Sequence, residues 1–199
     1  MTKEAIYIGN KDTFAIRYMP DYSFISPIAE KHNVHSTFCH LVLDGYLIGL
    51  IDEPCNLSSW KYAFEHYAYM ISYQPERISS PIFMNKTDDE LWELLEYIYW
   101  KTRVLPVKKY SHVTMHLKQE DIPELEKICW ACVLSIGETT DRFMTYVISM
   151  DEDIKFIWKK YRARKLRSIT LKRTIVVETM EACIRQIETD YPDLAYYWK

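Results

Sequence analysis

The sequence predicts an α+β fold, in which an antiparallel sheet built from hairpins is covered by helices, with residues 1–199 forming a single domain. Three observations lead there. An Asp44-Gly45 pair sits between two β-rich runs. Strands and helices come in blocks, whereas a parallel βαβ architecture needs them to alternate. And 199 residues, 48% of them apolar, suffice for one hydrophobic core and fall short of several.

The elements follow in chain order. Residues 5–8 and 14–18 are short β-type runs on either side of Gly9-Asn10, whose turn chemistry suits a small hairpin or loop. Residues 37–43 and 46–51 flank Asp44-Gly45, which tolerates the positive φ of a type I′ turn and gives the strongest hairpin signal in the chain. After Asn56 or Ser58 as N-cap, Trp60, Ala63, Phe64, Tyr67, Ala68 and Ile71 recur at the spacing of one helical face. Thr87 and Glu90 form a capping box, Asp88 and Asp89 suit the positive end of the helix dipole, and Leu91, Leu94, Leu95 and Ile98 continue the helix to about Thr102. Residues 111–117 read as a strand and residues 120–127 as a short helix with Pro123 in its first turn. Residues 130–135, 143–150 and 154–158 read as three adjacent antiparallel strands, residues 167–171 as a further strand, and residues 174–189 as a closing helix. Residues 18–34 and 74–86, where Pro, Ser and Asn gather, are the connectors.

Composition excludes several function classes. Only 4 glycines are present, and they do not form the clusters of a phosphate cradle or dinucleotide fingerprint. The longest apolar stretch, residues 41–51, is far shorter than the roughly 20 residues of a membrane helix. The N-terminal segment lacks the features of a secretory or transit signal, and 5 cysteines at irregular spacing argue against a disulfide framework. A soluble protein of the reducing cytoplasm is therefore expected. The 16 Tyr, 7 Phe and 6 Trp exceed the usual needs of a core, which points to aromatics on a contact surface.

Candidate chemistry is thin. Cys129-Trp-Ala-Cys132 has the spacing of a redox pair or half a zinc site, but on the expected strand residues three apart face opposite sides. His32, His35, Cys39 and His40 lack a second ligand pair, and His112 and His116 on a strand would stand about 13 Å apart, too far for one metal. No hydrolase elbow, zincin helix or NTPase loop occurs. No catalytic residue, metal or cofactor is assigned.

Charge is more informative. Residues 155–173 hold nine basic side chains and no acid, which leaves 16 basic against 28 acidic residues elsewhere. The basic segment, interleaved with Trp158 and Tyr161, could grip a phosphate backbone, so a nucleic-acid-binding module is the alternative reading. Its structural explanation is a solvated turn whose Lys and Arg block edge-to-edge aggregation. On the acidic side, Asp89, Glu93 and Glu96 line one stripe of the second helix beside Trp92 and Tyr99, a carboxylate-aromatic combination suited to a protein interface. Glu138, Asp141, Asp151, Glu152 and Asp153 lie in the turns of the later strands, and turns at one end of a sheet can converge with that stripe.

The order of motifs resembles the bacterial polymorphic-toxin immunity family catalogued as immunity protein 42. The resemblance rests on Ile8-Gly9-Asn10, Phe14-Ala15-Ile16 and Tyr18; Phe38-Cys39-His40 through Asp44-Gly45 to Ile48-Gly49; Gly137-Glu138 with Asp141 and Phe143; and Phe156-Ile157-Trp158-Lys159. Asn10, Leu50 and Thr140 depart from the family pattern, and residues 72–126 carry no matching motif. What the resemblance implies is a cytoplasmic protein that binds the toxic domain of a secreted effector and blocks its active site or access to substrate. A basic nuclease is one such toxin, and no catalytic residue transfers.

Overall fold

The computed structural model describes residues 4–20, 35–101, 117–118, 120, 122–136 and 142–196. These residues form two antiparallel sheets and four α-helices, an α+β arrangement as the sequence predicts. The first sheet runs β1 (Ile6–Asn10), β2 (Phe14–Met19), β3 (Ser36–Leu43), β4 (Tyr46–Ile48), with β5 (Cys55–Asn56) also pairing β3. Helix α1 (Leu57–Tyr73) follows, then 3-10 turns at Pro75–Ile78 and Pro81–Phe83, then α2 (Asp88–Lys101) and α3 (Ile122–Cys132). The second sheet is β6 (Phe143–Met150), β7 (Asp153–Lys160) and β8 (Arg167–Lys172), and α4 (Arg173–Asp190) leads directly off β8.

Local chemistry accounts for most boundaries. Asp44 and Gly45 adopt φ of 51° and 67°, the two positive values that a type I′ turn requires, and Leu43 pairs Tyr46 across it. Asn56 caps α1 by accepting from the backbone N–H of Ser58 at 2.9 Å. At α2 the capping box closes reciprocally: the Glu90 N–H donates to Thr87 Oγ1 at 3.3 Å, and the Thr87 N–H donates to Glu90 Oε2 at 2.8 Å.

Three expectations change. The first hairpin turns at Lys11–Thr13, where Asn10 Oδ1 accepts from the Asp12 N–H at 2.9 Å, and Gly9 lies within β1. Gly9 has a packing role: at φ 97°, a Cβ there would stand 2.6 Å from Phe14 O and 2.8 Å from the Thr179 side chain on α4. Residues 130–132, expected in a strand, complete α3, and only Val133 reaches the sheet, through a single bridge to Tyr146. Leu125, Ile128, Cys129 and Cys132 make one buried helical face, and that burial outweighs the weak helix propensity of Cys and Trp. Strand β4 stops at Ile48. The strand expected at 111–117 and the turn at 137–141 fall, apart from Leu117, outside the described residues.

The core joins the two sheets. Phe14 of β2 stacks on Phe156 of β7 with centroids 5.5 Å apart, and Val176, Met180, Cys183 and Ile187 form the buried stripe of α4. Lys61 of α1, almost wholly buried, reaches Glu65 and, at 3.1 Å, Glu188, fastening α1 to α4. Helix α2 is held to the second sheet at its first residue, where Asp88 pairs with Lys155 and accepts from the Ser168 hydroxyl.

Candidate partner-binding surface

Because Cys129 and Cys132 sit on α3, they share a helical face, contrary to the strand-based expectation. Burial still makes them poor nucleophiles. The Cys129 thiol donates to Leu95 O at 3.3 Å, burial pushes it up to about 12, and burial holds Cys132 well above its ordinary value. His40 is equally interior: its Nε2 lies 2.7 Å from Leu50 O and its Nδ1 3.2 Å from the Arg17 guanidinium. Burial first, and Arg17 second among the lowering causes, depress its pKa against the Leu50 contact. His35 sits 2.6 Å from Asp193, linking β3 to the C-terminal 3-10 turn. Among the described residues no three His, Cys, Asp or Glu side chains are placed to hold a metal ion.

The acidic stripe of α2 is present, but its aromatics turn inward. Asp89 is exposed and Glu93 and Glu96 are half-buried, whereas Trp92 and Tyr99 are only 6% and 8% exposed. Trp92 meets Tyr146 of β6 edge-on at 5.3 Å, and Tyr99 packs against Trp130 of α3 at 5.0 Å. A helix wedged between a sheet and another helix buries two faces, so neither ring is the exposed anchor the sequence suggested. The acidic turn at 151–153 lies away from the Glu96 end of the stripe. Glu96 borders the end of the β6–β7 hairpin where Phe143 pairs Lys160, while Asp151, Glu152 and Asp153 form the opposite end, about 23 Å away at 3.3 Å per residue. Glu138 and Asp141 lie outside the described residues.

The basic segment separates into two populations. Lys155 is paired with Asp88, Lys172 stands 2.9 Å from Asp153, and Arg173 donates to Ser149 Oγ at 3.1 Å and to the Asp151 carbonyl. Partial burial pushes the Asp88 carboxyl up, but hydrogen bonds from Lys155 and Ser168 outweigh it and hold the group below the ordinary range. Arg167 stacks over the Tyr46 ring at 4.3 Å, and Lys159 lies 5.9 Å from the Trp92 ring. Lys160, Arg162, Arg164 and Lys165 are exposed and have no ion pair among the described residues. Beside them the β7–β8 turn, the start of β6 and α2 enclose a groove of about 430 Å³.

A further surface escaped the sequence reading. Beyond Ser59, every exposed position of α1 is aromatic: Tyr62, His66, Tyr69 and Tyr73. Tyr62 stacks with His66 at 6.4 Å and Tyr69 lies tilted against Tyr73 at 5.2 Å, so the row is partly pre-ordered. Its N-terminal end borders a cavity of about 510 Å³ lined in part by Asn56, Ser58, Ser59 and Ser135. The signal was available, because these four positions lie outside the apolar stripe that marked α1 as a helix.

An α+β frame that shows solvent a row of rings and a turn of exposed cations defines a protein that works through its surfaces. The comparisons give that class its family. The sequence profile of immunity protein 42 matches residues 1–186, and the chain belongs to that family. It is therefore a toxin-neutralising immunity protein, with a cognate toxin as its partner. Among solved structures, CdiI from Burkholderia dolosa AUO158 has a similar fold, with a TM-score of 0.57 and 13% identity over 91% of this chain and 99% of that chain. No curated protein matches the sequence. Nothing in these comparisons supports the nucleic-acid alternative, and no helix among the described residues is long and apolar enough to cross a membrane.

Proposed function

We propose that this immunity protein acts by stoichiometric binding in the cytoplasm, covering the toxin's active site or the approach of its substrate, with no chemistry of its own and with residues 1–199 acting as one domain. The observation that carries the binding reading is the aromatic row of α1. Tyrosine offers a large amphipathic contact at low entropic cost, and a row of exposed rings on one helix suits a protein surface better than bulk water. Occlusion requires about 800 Å² per partner, more than the row alone supplies, so neighbouring surface must take part.

The toxin in this proposal is a basic domain such as a nuclease, steered by Asp89, Glu93 and Glu96. Reversing Glu93 and Glu96 to Lys should slow association several-fold at low salt, with the deficit shrinking as salt screens the field. Tyr69→Ala and Tyr73→Ala should instead speed dissociation, each by up to about 2 kcal/mol if the ring is a central anchor. The deciding experiment titrates the activity of the toxin encoded by the neighbouring gene with this protein. Loss of activity that ends at one inhibitor per toxin supports binding. Inactivation of many toxin molecules by one inhibitor, or no inhibition, would overturn it.

A further inference from the structure

The geometry points to a docking site for an acidic segment of the toxin in the groove between α2 and the turn that joins β7 to β8. The inference rests on the immunity reading and adds the place and the chemistry of contact. The groove is lined by apolar side chains, the buried Trp92 and half-buried Phe143 and Met144 with the exposed Tyr161 at its edge, and its volume of about 430 Å³ accommodates a few side chains. Lys160 and Arg162 stand on its wall, and exposed Arg164 and Lys165 follow immediately. Glu96 faces them from α2 and is the acidic residue of the lining.

Two observations separate this cluster from the rest of the basic segment. The other cations are used internally: Lys155 by Asp88, Lys172 by Asp153, Arg173 by Ser149 and the Asp151 carbonyl, Arg167 by the Tyr46 ring and Lys159 by the Trp92 ring. Among the described residues Lys160, Arg164 and Lys165 have no such partner and Arg162 only the exposed Tyr161 ring, at 5.4 Å, and charge of one sign gathered within six residues draws the opposite sign from solution. The second observation is conformational. Arg162 holds φ at 64°, a region glycine enters freely and arginine does not, inside a turn closed by the Ala163 N–H on Lys160 O at 2.9 Å. A long cation kept at a glycine-type position has a rationale if its guanidinium is used, and Tyr161, 71% exposed beside it, supplies a ring for the same contact.

Charge complementarity sets the occupant: carboxylates for the cationic rim and an aliphatic or aromatic side chain for the floor. One toxin can present both this segment and the basic surface proposed above. A metal-dependent nuclease carries carboxylates at its metal site within a basic surface for the phosphate backbone. The β7–β8 turn would meet the former and the carboxylates of α2 the latter.

The test measures binding of the catalytically inactivated toxin domain encoded by the neighbouring gene to the full chain and three variants. Lys160→Glu/Arg162→Glu should weaken binding by about 30-fold or more, and Arg162→Gly, which suits the backbone there, by several-fold. Arg185→Glu, an exposed charge on α4, should change it less than about twofold, with every variant melting near the unmodified protein. Unchanged affinity in the double variant overturns the docking site and leaves the immunity reading standing. Failure of the unmodified chain to bind overturns both. If the double variant loses binding to a single-stranded RNA 20-mer while its toxin affinity is unchanged, the turn belongs to nucleic acid and the inference is wrong.

Discussion

The β6–β7 hairpin is acidic at one end and basic at the other, and the fold treats the two ends in opposite ways. At the Asp151-Glu152 turn the cations are consumed: Lys172 pairs with Asp153, the Arg173 side chain reaches Ser149 and the Asp151 carbonyl, and the Arg173 N–H donates to Glu152 O at 3.0 Å. At the other end Lys160, Arg162, Arg164 and Lys165 face solvent without carboxylate partners among the described residues, beside an apolar groove. The difference teaches that a run of like charge becomes a candidate site only after its internal partners are subtracted. What remains is available to another molecule.

The largest expected effect separates the ends directly. Reversal of Lys160 and Arg162 should cost toxin affinity about 30-fold or more, whereas Asp153→Asn at the opposite turn should leave it within about twofold in the same binding assay. Comparable losses at both ends would break the contrast.

The middle of the hairpin provides the next effect, and it falls on stability. Asp88→Ala leaves Lys155, only 15% exposed, without its carboxylate, which should cost about 2 kcal/mol in urea unfolding. The Asp88 carboxyl is held below its ordinary value in the folded protein. Its contribution is thus fully present above the ordinary aspartate range and is lost as pH falls through the lower folded value. Acid unfolding curves of the unmodified protein should therefore be steeper than those of the variant in that window.

Arg162→Gly sharpens the comparison from another side. Relief of the positive φ should raise stability by about 0.5–1 kcal/mol, less the added entropy of glycine in the unfolded chain, while toxin binding weakens. A variant more stable and less functional would mark the β7–β8 turn as strained for use. The smallest effect belongs to the Lys172–Asp153 pair, whose partners are 60% and 37% exposed: Asp153→Asn should cost no more than about 0.5 kcal/mol, and raised salt should shrink that.

These contrasts also mark what was legible before the structure. Asp44-Gly45, the Asn56 cap and the Thr87–Glu90 box are local chemistry, where the residues that form a turn or cap lie within a few positions of one another. Several of the errors involve partners distant in sequence. The need for Gly9 comes from Thr179 on α4, the helical state of 130–132 from packing of α3 on α2, and the burial of Trp92 and Tyr99 from Tyr146 and Trp130. The basic run was visible, but which of its members are spent was not, because Asp88, Tyr46 and Ser149 come from other elements. The aromatic row of α1 was readable by subtracting the buried stripe from the helical wheel, a step that needed no tertiary information.

Hydrogen exchange of the immunity protein, alone and saturated with the inactivated toxin domain, tests the central contrast most directly, because it reads both ends of one hairpin in a single measurement. The account predicts slowed exchange on binding at the amides of residues 160–165, with unchanged exchange at residues 151–153. Protection of the acidic turn with no change at the basic turn would contradict it.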